Sequence, residues 1–215
     1  MKTKFKNILF GTAFILSALI FAEEVNKKVY VVPIQDVIDL GIPGLVSRAI
    51  DLAEANNAEI IVFDIDTFGG RVDAATQIKD SISSTDIETI AFINRRAISA
   101  GSLISLSCDQ IYMTEGATIG ATSVVDMSGS KQSEKSQSYM REEMAATAEK
   151  SGKNPNIARG MVDEELSFEY LVVNGDSLKV DDIEGRKEGK LITLSLIHIS
   201  EPTRLRRISY AVFCL

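Results

Sequence analysis

The chain has 215 residues and a formal charge of −7, enough length for one domain with a substantial core. Lys2, Lys4 and Lys6 fall in residues 1–22 and a net-basic stretch fills 194–215, so residues 23–193 are more acidic than the whole. So acidic a segment is a poor partner for nucleic acid or an anionic membrane surface. The only histidine, His198, and one of the two cysteines, Cys214, also lie in that last stretch. Residues 23–193 hold Cys108 and no histidine, which excludes an internal disulfide, a Ser-His-Asp triad, a Cys-His pair and a His-ligated zinc site within them. A serine acting there needs Lys, Asp, Glu or an outside group as its base.

Both ends read as separate from the domain. Residues 1–22 join a lysine-bearing start, an apolar run and Ala22 as a cleavage point, the pattern of a secretory signal. The run is short for a membrane span, and the protein is expected to work outside the cytoplasm. From Leu194 to Arg204 the sequence resembles the translation of a sequencing-library transposase adapter. Residues Ile208 to Leu215 resemble that of the flow-cell adapter that follows it, and Leu205-Arg206-Arg207 has the length of a sample index. Residues 194–215 are therefore expected to be foreign, and 23–193 a domain cut short at its C-terminal end.

Between those ends the pattern alternates. Val29 to Gln35 predicts a strand, and Leu45 to Ala58 a helix with an apolar face at Leu45, Val46, Ala49, Ile50 and Ala53. Glu59 to Asp66 predicts a second strand, Thr67-Phe68-Gly69-Gly70 a turn, and Val72 to Ser84 a second helix. Ile87 to Asn94 is short, β-branched and apolar, as a strand buried on both faces would be. Arg95 to Gly101 then reads as a turn and Ala100 to Asp109 as a small-residue helix. Gln110 to Thr114 is another strand. Met127 to Glu134 reads as a mobile polar loop, Lys135 to Lys150 as a helix, Asn156 to Glu165 as a shorter one, and Phe168 to Leu178 as a hairpin around Asn174-Gly175. Such alternation predicts an α/β fold with a mostly parallel sheet and helices on both faces. Chemistry in such folds gathers beyond the carboxyl ends of the strands, where the Thr67–Gly70 and Arg96–Gly101 loops fall.

Ser99 stands at a sharp strand-to-helix turn, which can hold a hydroxyl out from the backbone beside the N–H groups of a helix start. A serine there can equally be a plain helix cap. Gly69-Gly70 follows a strand and opens a helix, as an oxyanion loop would, and as many ordinary turns do. With a serine turn one βα unit later, the N–H groups of Gly70 and Ala100 are expected to flank a developing negative charge. Ser102, Ser105 and Ser107 fall within the helix and are expected to bond back to its carbonyls. Lys131 and Lys135 are the candidate bases, since a lysine kept neutral by burial can deprotonate a serine; lysines at such positions are also common surface charges.

The runs DTFGGRVDA, NRRAISAGSLISL, GATIGATSVV and EKSQSYMREEMAATAEKSGKNPNIA together resemble the protease domain of long-form NfeD proteins, over essentially residues 28–193. These are membrane-bound serine proteases of the ClpP/crotonase superfamily, related to signal peptide peptidase A. The resemblance implies a ClpP/crotonase-like fold, Ser99 as nucleophile within Ala-x-Ser-Ala-Gly, and Gly69 and Gly70 in the oxyanion loop with Ala100. It places the catalytic lysine at Lys135, by its distance from the Ser-Gly-Lys-Asn motif, and so demotes Lys131. Where the family has proline before the two glycines, this chain has Phe68. It further implies a homodimer, a stomatin-like membrane protein as partner and substrate, cleavage of apolar segments, and transmembrane helices beyond the domain. No metal or nucleotide cofactor is expected. A crotonase-type acyl-CoA enzyme and a non-catalytic, peptide-binding scaffold are the alternatives.

Overall fold

A computed structural model describes residues 27–126, 128–163, 165–166, 168–173, 177–180 and 190–194. The expected signal, the Asn174-Gly175 turn and residues 195–215 lie outside the described residues. Val29–Ile38 (β1), Ile60–Gly70 (β2), Glu88–Ile98 (β3) and Gln110–Met113 (β4) form a parallel sheet in chain order. Thr118–Gly120 (β5) extends β4's side of the sheet, pairing in parallel with Arg96–Ile98 beyond the stretch of β3 that β4 covers. Ile42–Ala55 (α1), Val72–Ile82 (α2) and Ala100–Ser107 (α3) are the crossovers. Glu134–Lys150 (α4) and Pro155–Gly160 (α5) follow, then Phe168–Val173 (β6), Ser177–Val180 (β7) and Lys190–Leu194 (β8). These last three strands make a separate antiparallel sheet in the order β7-β6-β8. The two arms of the expected hairpin do pair, Tyr170 opposite Val180 through Val173 opposite Ser177.

Strands that follow one another in sheet order, joined by right-handed crossovers, put their helices on one face. Burial shows which. Val32 and Ile34, then Ile61, Phe63 and Ile65, then Ala91 and Ile93, then Ile111 and Met113 are buried, while the alternate residues of the same strands are half-buried or exposed. Val46, Ile50 and Ala53 of α1 and Ala74, Ala75, Ile78 and Ile82 of α2 pack on that face. All of α3 is buried. The expectation of helices on both faces is corrected accordingly. The apolar runs suggested strands covered on both sides, yet in β1 the opposite face leaves Val29 and Val31 exposed.

Three strands run further than the pattern indicated, β1 by continuing past Gln35 to Ile38. Thr67–Gly70 belongs to β2, because Val37 and Ile38 pair with Gly69 and Gly70 after a bulge at Asp36, a residue at φ 62°. Likewise β3 runs through Arg95 to Ile98, held there by β5. The loop read as mobile closes tightly among the described residues. Asp126 Oδ1 accepts from Ser128 N (2.8 Å) and Ser130 N (3.0 Å), Val125 pairs with Lys131, and Gln132 N donates to Val124 O at 2.9 Å. An aspartate bonding the backbone two residues on is a turn former.

Cys108 closes α3 and is fully buried. Burial pushes its thiol well above the ordinary value of 9.0, against the weaker pull of Lys153. The folded chain thus keeps the thiol proton where the unfolded chain has lost it. The stabilisation this gives is whole below pH 9.0 and declines as pH rises further. In a Cys214→Ser background, Cys108 is expected to resist alkylation at pH 8–9 until the chain unfolds, and the urea midpoint to fall above about pH 9. Thiol titration with and without urea checks this; fast labelling of the native protein would contradict it.

Candidate active site

Ser99 lies between the end of β3 and the start of α3, at φ 54° and ψ −116°. A non-glycine residue there is strained, since its Cβ crowds the backbone. The surroundings hold it in place. Ser99 N donates to Gly120 O at 2.9 Å, and Ser102 N donates to Ser99 O at 2.9 Å, closing the first turn of the helix. The Ser99 side chain makes no capping hydrogen bond, so the plain-cap reading does not hold. Of the other serines of α3, Ser105 and Ser107 bond back within the helix as expected, while Ser102 reaches the neighbouring strands. Ser105 Oγ donates to Gly101 O (2.7 Å) and Ser107 Oγ to Ile104 O (2.7 Å). Ser102 Oγ bonds Ala97 O (2.6 Å) and accepts from Gly120 N (2.8 Å).

The glycines stand directly against Ser99. Gly69 has φ 105°, and a Cβ placed on it would lie 2.6 Å from Ser99 Cβ and 3.1 Å from Ser99 Oγ. Only glycine lets this strand approach the serine so closely. The N–H of Gly69 donates to Thr67 Oγ1 at 2.9 Å, and that hydroxyl in turn bonds Asp36 O. Gly69 therefore shapes the loop and spends its own donor on it. Gly70 lines the same pocket as Ser99 and Ala100. The N–H of Ala100 belongs to the first turn of α3, where backbone donors have no partner within the helix.

That pocket is walled by Val72, Ala75, Leu103, Val124 and Met140. These side chains come from α2, α3, α4 and the segment after β5, and they offer an apolar recess beside a polar hydroxyl. Gln137 fastens α4 to the wall. It is 2 % exposed, its Nε2 donates to Val124 O at 2.7 Å and its Oε1 accepts from Val124 N at 3.0 Å. Lys79 joins α2 to α4 through Glu143 at 2.6 Å, with Asp80 at 2.9 Å.

Ser99, Gly70 and Ala100 are thus brought together, with Gly69 behind them. Lys135 is not. It sits in the first turn of α4, two residues before Gln137, and is exposed. It does not line the pocket, and its side chain makes no hydrogen bond or ion pair among the described residues. Lys131 is exposed as well and lies at the turn that closes on Val125. Sequence reasoning missed Thr67, which fastens the glycine loop, Gly120, which takes the Ser99 N–H, and Gln137. A buried threonine two residues before a glycine carries no pattern of its own. The GATIGAT run was visible as a motif without a role.

The fold and site define an α/β domain with a strained serine at a strand–helix junction, a glycine loop pressed against it and an apolar recess alongside. The chain is similar to known proteins. The chain is 34% identical over 215 residues to Membrane protein NfeD1b of Bacillus subtilis, covering 96% of this chain and 49% of that one. It is 33% identical over 129 residues to Membrane-bound protease PH1510 of Pyrococcus horikoshii, covering 56% of this chain and 29% of that one. Among solved structures, a lysine-to-alanine mutant of the 1510-N membrane-bound stomatin-specific protease, in complex with a substrate peptide, superposes with a TM-score of 0.62 at 30% identity. It covers 66% of this chain and 68% of that one. A serine-to-alanine mutant of the same protease gives 0.60 at 30% identity, covering 65% and 72%. The family described as NfeD1b, N-terminal domain, matches residues 28–195, and the chain belongs to it. It spans about half the length of NfeD1b and less of PH1510. Both are named for the membrane; among the described residues here, no helix is long and apolar enough to cross one.

Proposed function

We propose that this domain is a serine endopeptidase that cleaves apolar segments of membrane-associated proteins, with Ser99 as nucleophile and Lys135 as base. The observation that carries the reading is the strained Ser99, held at φ 54° against Gly69 and opening on an apolar pocket. Strain maintained by so many surrounding bonds is a mark of a working site. The relatives support the same roles. One solved mutant of the stomatin-specific protease replaces a serine, another a lysine, and the second holds a substrate peptide.

The chemistry follows from the parts. An apolar peptide laid in the recess shuts water out. Lys135, in its neutral form, takes the Ser99 proton as Oγ attacks the peptide carbonyl. The N–H groups of Gly70 and Ala100 hold the oxyanion; one such donor is worth about 10²–10³ in rate. Lys135 then gives its proton to the leaving amine. Water attacks the acyl-enzyme, Lys135 takes the water's proton, and Ser99 leaves with it restored. In the whole protein the site works on the extracytoplasmic side of the membrane, as a homodimer, on a stomatin-like substrate.

Lys135→Ala is expected to lower kcat for a leucine- and valine-rich peptide by about 10²–10⁴, the share a general base contributes. Steady-state cleavage of the peptide by the parent and the variant checks this. A fully active Lys135→Ala would remove the lysine from the mechanism. The exposure of Lys135 outside the pocket lining favours a second reading, a module that binds apolar peptides without cutting them. Peptide binding that survives Ser99→Ala, with no hydrolysis by the parent, would establish that instead.

A further inference from the structure

We infer that Thr122 selects the side chain that enters the recess beside Ser99, favouring threonine or serine there over an apolar residue of similar size. This rests on the reading of Ser99 as a protease nucleophile.

Three hydroxyl residues line that recess, Ser99, Thr122 and Ser123. Ser123 Oγ donates to Val162 O at 2.9 Å, so its hydroxyl is engaged. Thr122 is different. It is 3% exposed, and its Oγ1 has no hydrogen-bond partner among the described residues. Other buried hydroxyls around the site do have one. Thr67, Ser102, Ser105 and Ser107 each donate to a backbone carbonyl. A buried hydroxyl left unpaired destabilises the fold and calls for an explanation.

The backbone fixes where Thr122 stands. β5 ends at Gly120, Ala121 turns the chain at φ 51°, and Thr122 N donates to Met161 O at 2.7 Å. Val124, two residues on, is held by both ends of the Gln137 amide. The Thr122 side chain is a methyl and a hydroxyl on one carbon, and a single χ1 step exchanges them. The hydroxyl can therefore meet a group that enters the recess while the backbone stays in place. Ser99 lines the same recess, so that group belongs to a residue flanking the cut bond. A hydroxylated side chain gives up bonds to water on entering and recovers one at Thr122, which otherwise has none. Valine has the shape of threonine but leaves Thr122 Oγ1 unpaired. Apolar walls alone separate such isosteres poorly, whereas a buried hydroxyl in want of a partner separates them well.

The test uses the full chain and apolar peptides that carry threonine or valine at each position flanking the cut bond in turn. At one of these positions the parent is expected to favour the threonine peptide in kcat/KM. Thr122→Val is expected to shift that ratio toward valine by about tenfold or more, and to leave the ratio at the other position within about twofold. Thr122→Ser keeps the hydroxyl and is expected to keep the parent's order. The urea midpoint of Thr122→Val is expected to rise, since an unpaired buried hydroxyl is removed. A fall would show that the hydroxyl is paired in the folded chain and would overturn the assignment, as would ratios that Thr122→Val leaves unchanged at both positions. The same peptides titrated onto Ser99→Ala, with and without Thr122→Val, read the recess apart from cleavage. A threonine preference in binding with no hydrolysis by the parent removes the protease reading and keeps this one. Hydrolysis without the preference removes this one alone, and the absence of both removes both.

Discussion

Ser99→Ala is expected to abolish peptide cleavage, and Ser99→Gly to abolish it while leaving a more stable domain than Ser99→Ala does. The first half follows from the hydroxyl. Without it no acyl-enzyme forms, and the loss should reach at least about 10⁴ in kcat. The second half follows from the backbone. Alanine keeps the Cβ, and with it the strain of φ 54° and ψ −116°, which costs about 1–3 kcal/mol. Glycine removes the Cβ and relieves that strain. It also adds freedom to the unfolded chain, which offsets about 0.5–1 kcal/mol. The glycine variant should therefore be the more stable of the two by about 1 kcal/mol. Urea unfolding of both, beside the cleavage assay, checks the pair of claims. Equal stabilities would mean that Ser99 is not held under strain.

Gly70→Ala is expected to destabilise the domain severely, by about 3 kcal/mol or more. A Cβ at Gly70 would lie 2.2 Å from Ile38 O, 2.7 Å from Ile38 N and 2.8 Å from Ile38 C. These are backbone atoms of the neighbouring strand and cannot swing aside, so β1 and β2 would have to part at the Gly69-Gly70 loop. Gly69→Ala should act differently. Its Cβ would meet the Ser99 side chain, 2.6 Å away at Cβ, from a backbone at φ 105°. That substitution should displace the Ser99 side chain, so cleavage is expected to fall more steeply than stability. Thermal melts and kcat for the two variants separate the cases; a Gly70→Ala domain as stable as the parent would contradict the packing of the loop.

Much of the site was legible because its requirements are local. A β-branched strand, a tight turn and a small-residue helix can be read around Ser99 without knowing their neighbours, and the glycine pair follows the same logic. The extended ends of β2 and β3 were not legible. Thr67–Gly70 and Arg95–Ile98 carry turn-like residues, and what makes them strand is pairing with Ile38 and with Thr118–Gly120, partners set by the tertiary fold. The one-sided burial of the sheet was hidden for a related reason. Apolar runs in β1 and β3 look alike on both faces, and only the order of strands assigns the helices to one of them. Lys135 had no local signature. Its assignment came from resemblance, and the structure adds only that α4, fastened by Gln137 and Lys79, forms one wall of the pocket.

The central claim is that Ser99 forms the covalent bond to the substrate. The most direct measurement is the intact mass of the protein, quenched in acid during turnover of an ester of an apolar peptide, followed by proteolytic mapping of the adduct. The account predicts one acyl group on the fragment that contains Ser99, lost with time as water completes the reaction, and absent from Ser99→Ala. Continued hydrolysis with no adduct, or an adduct on another residue, would contradict it.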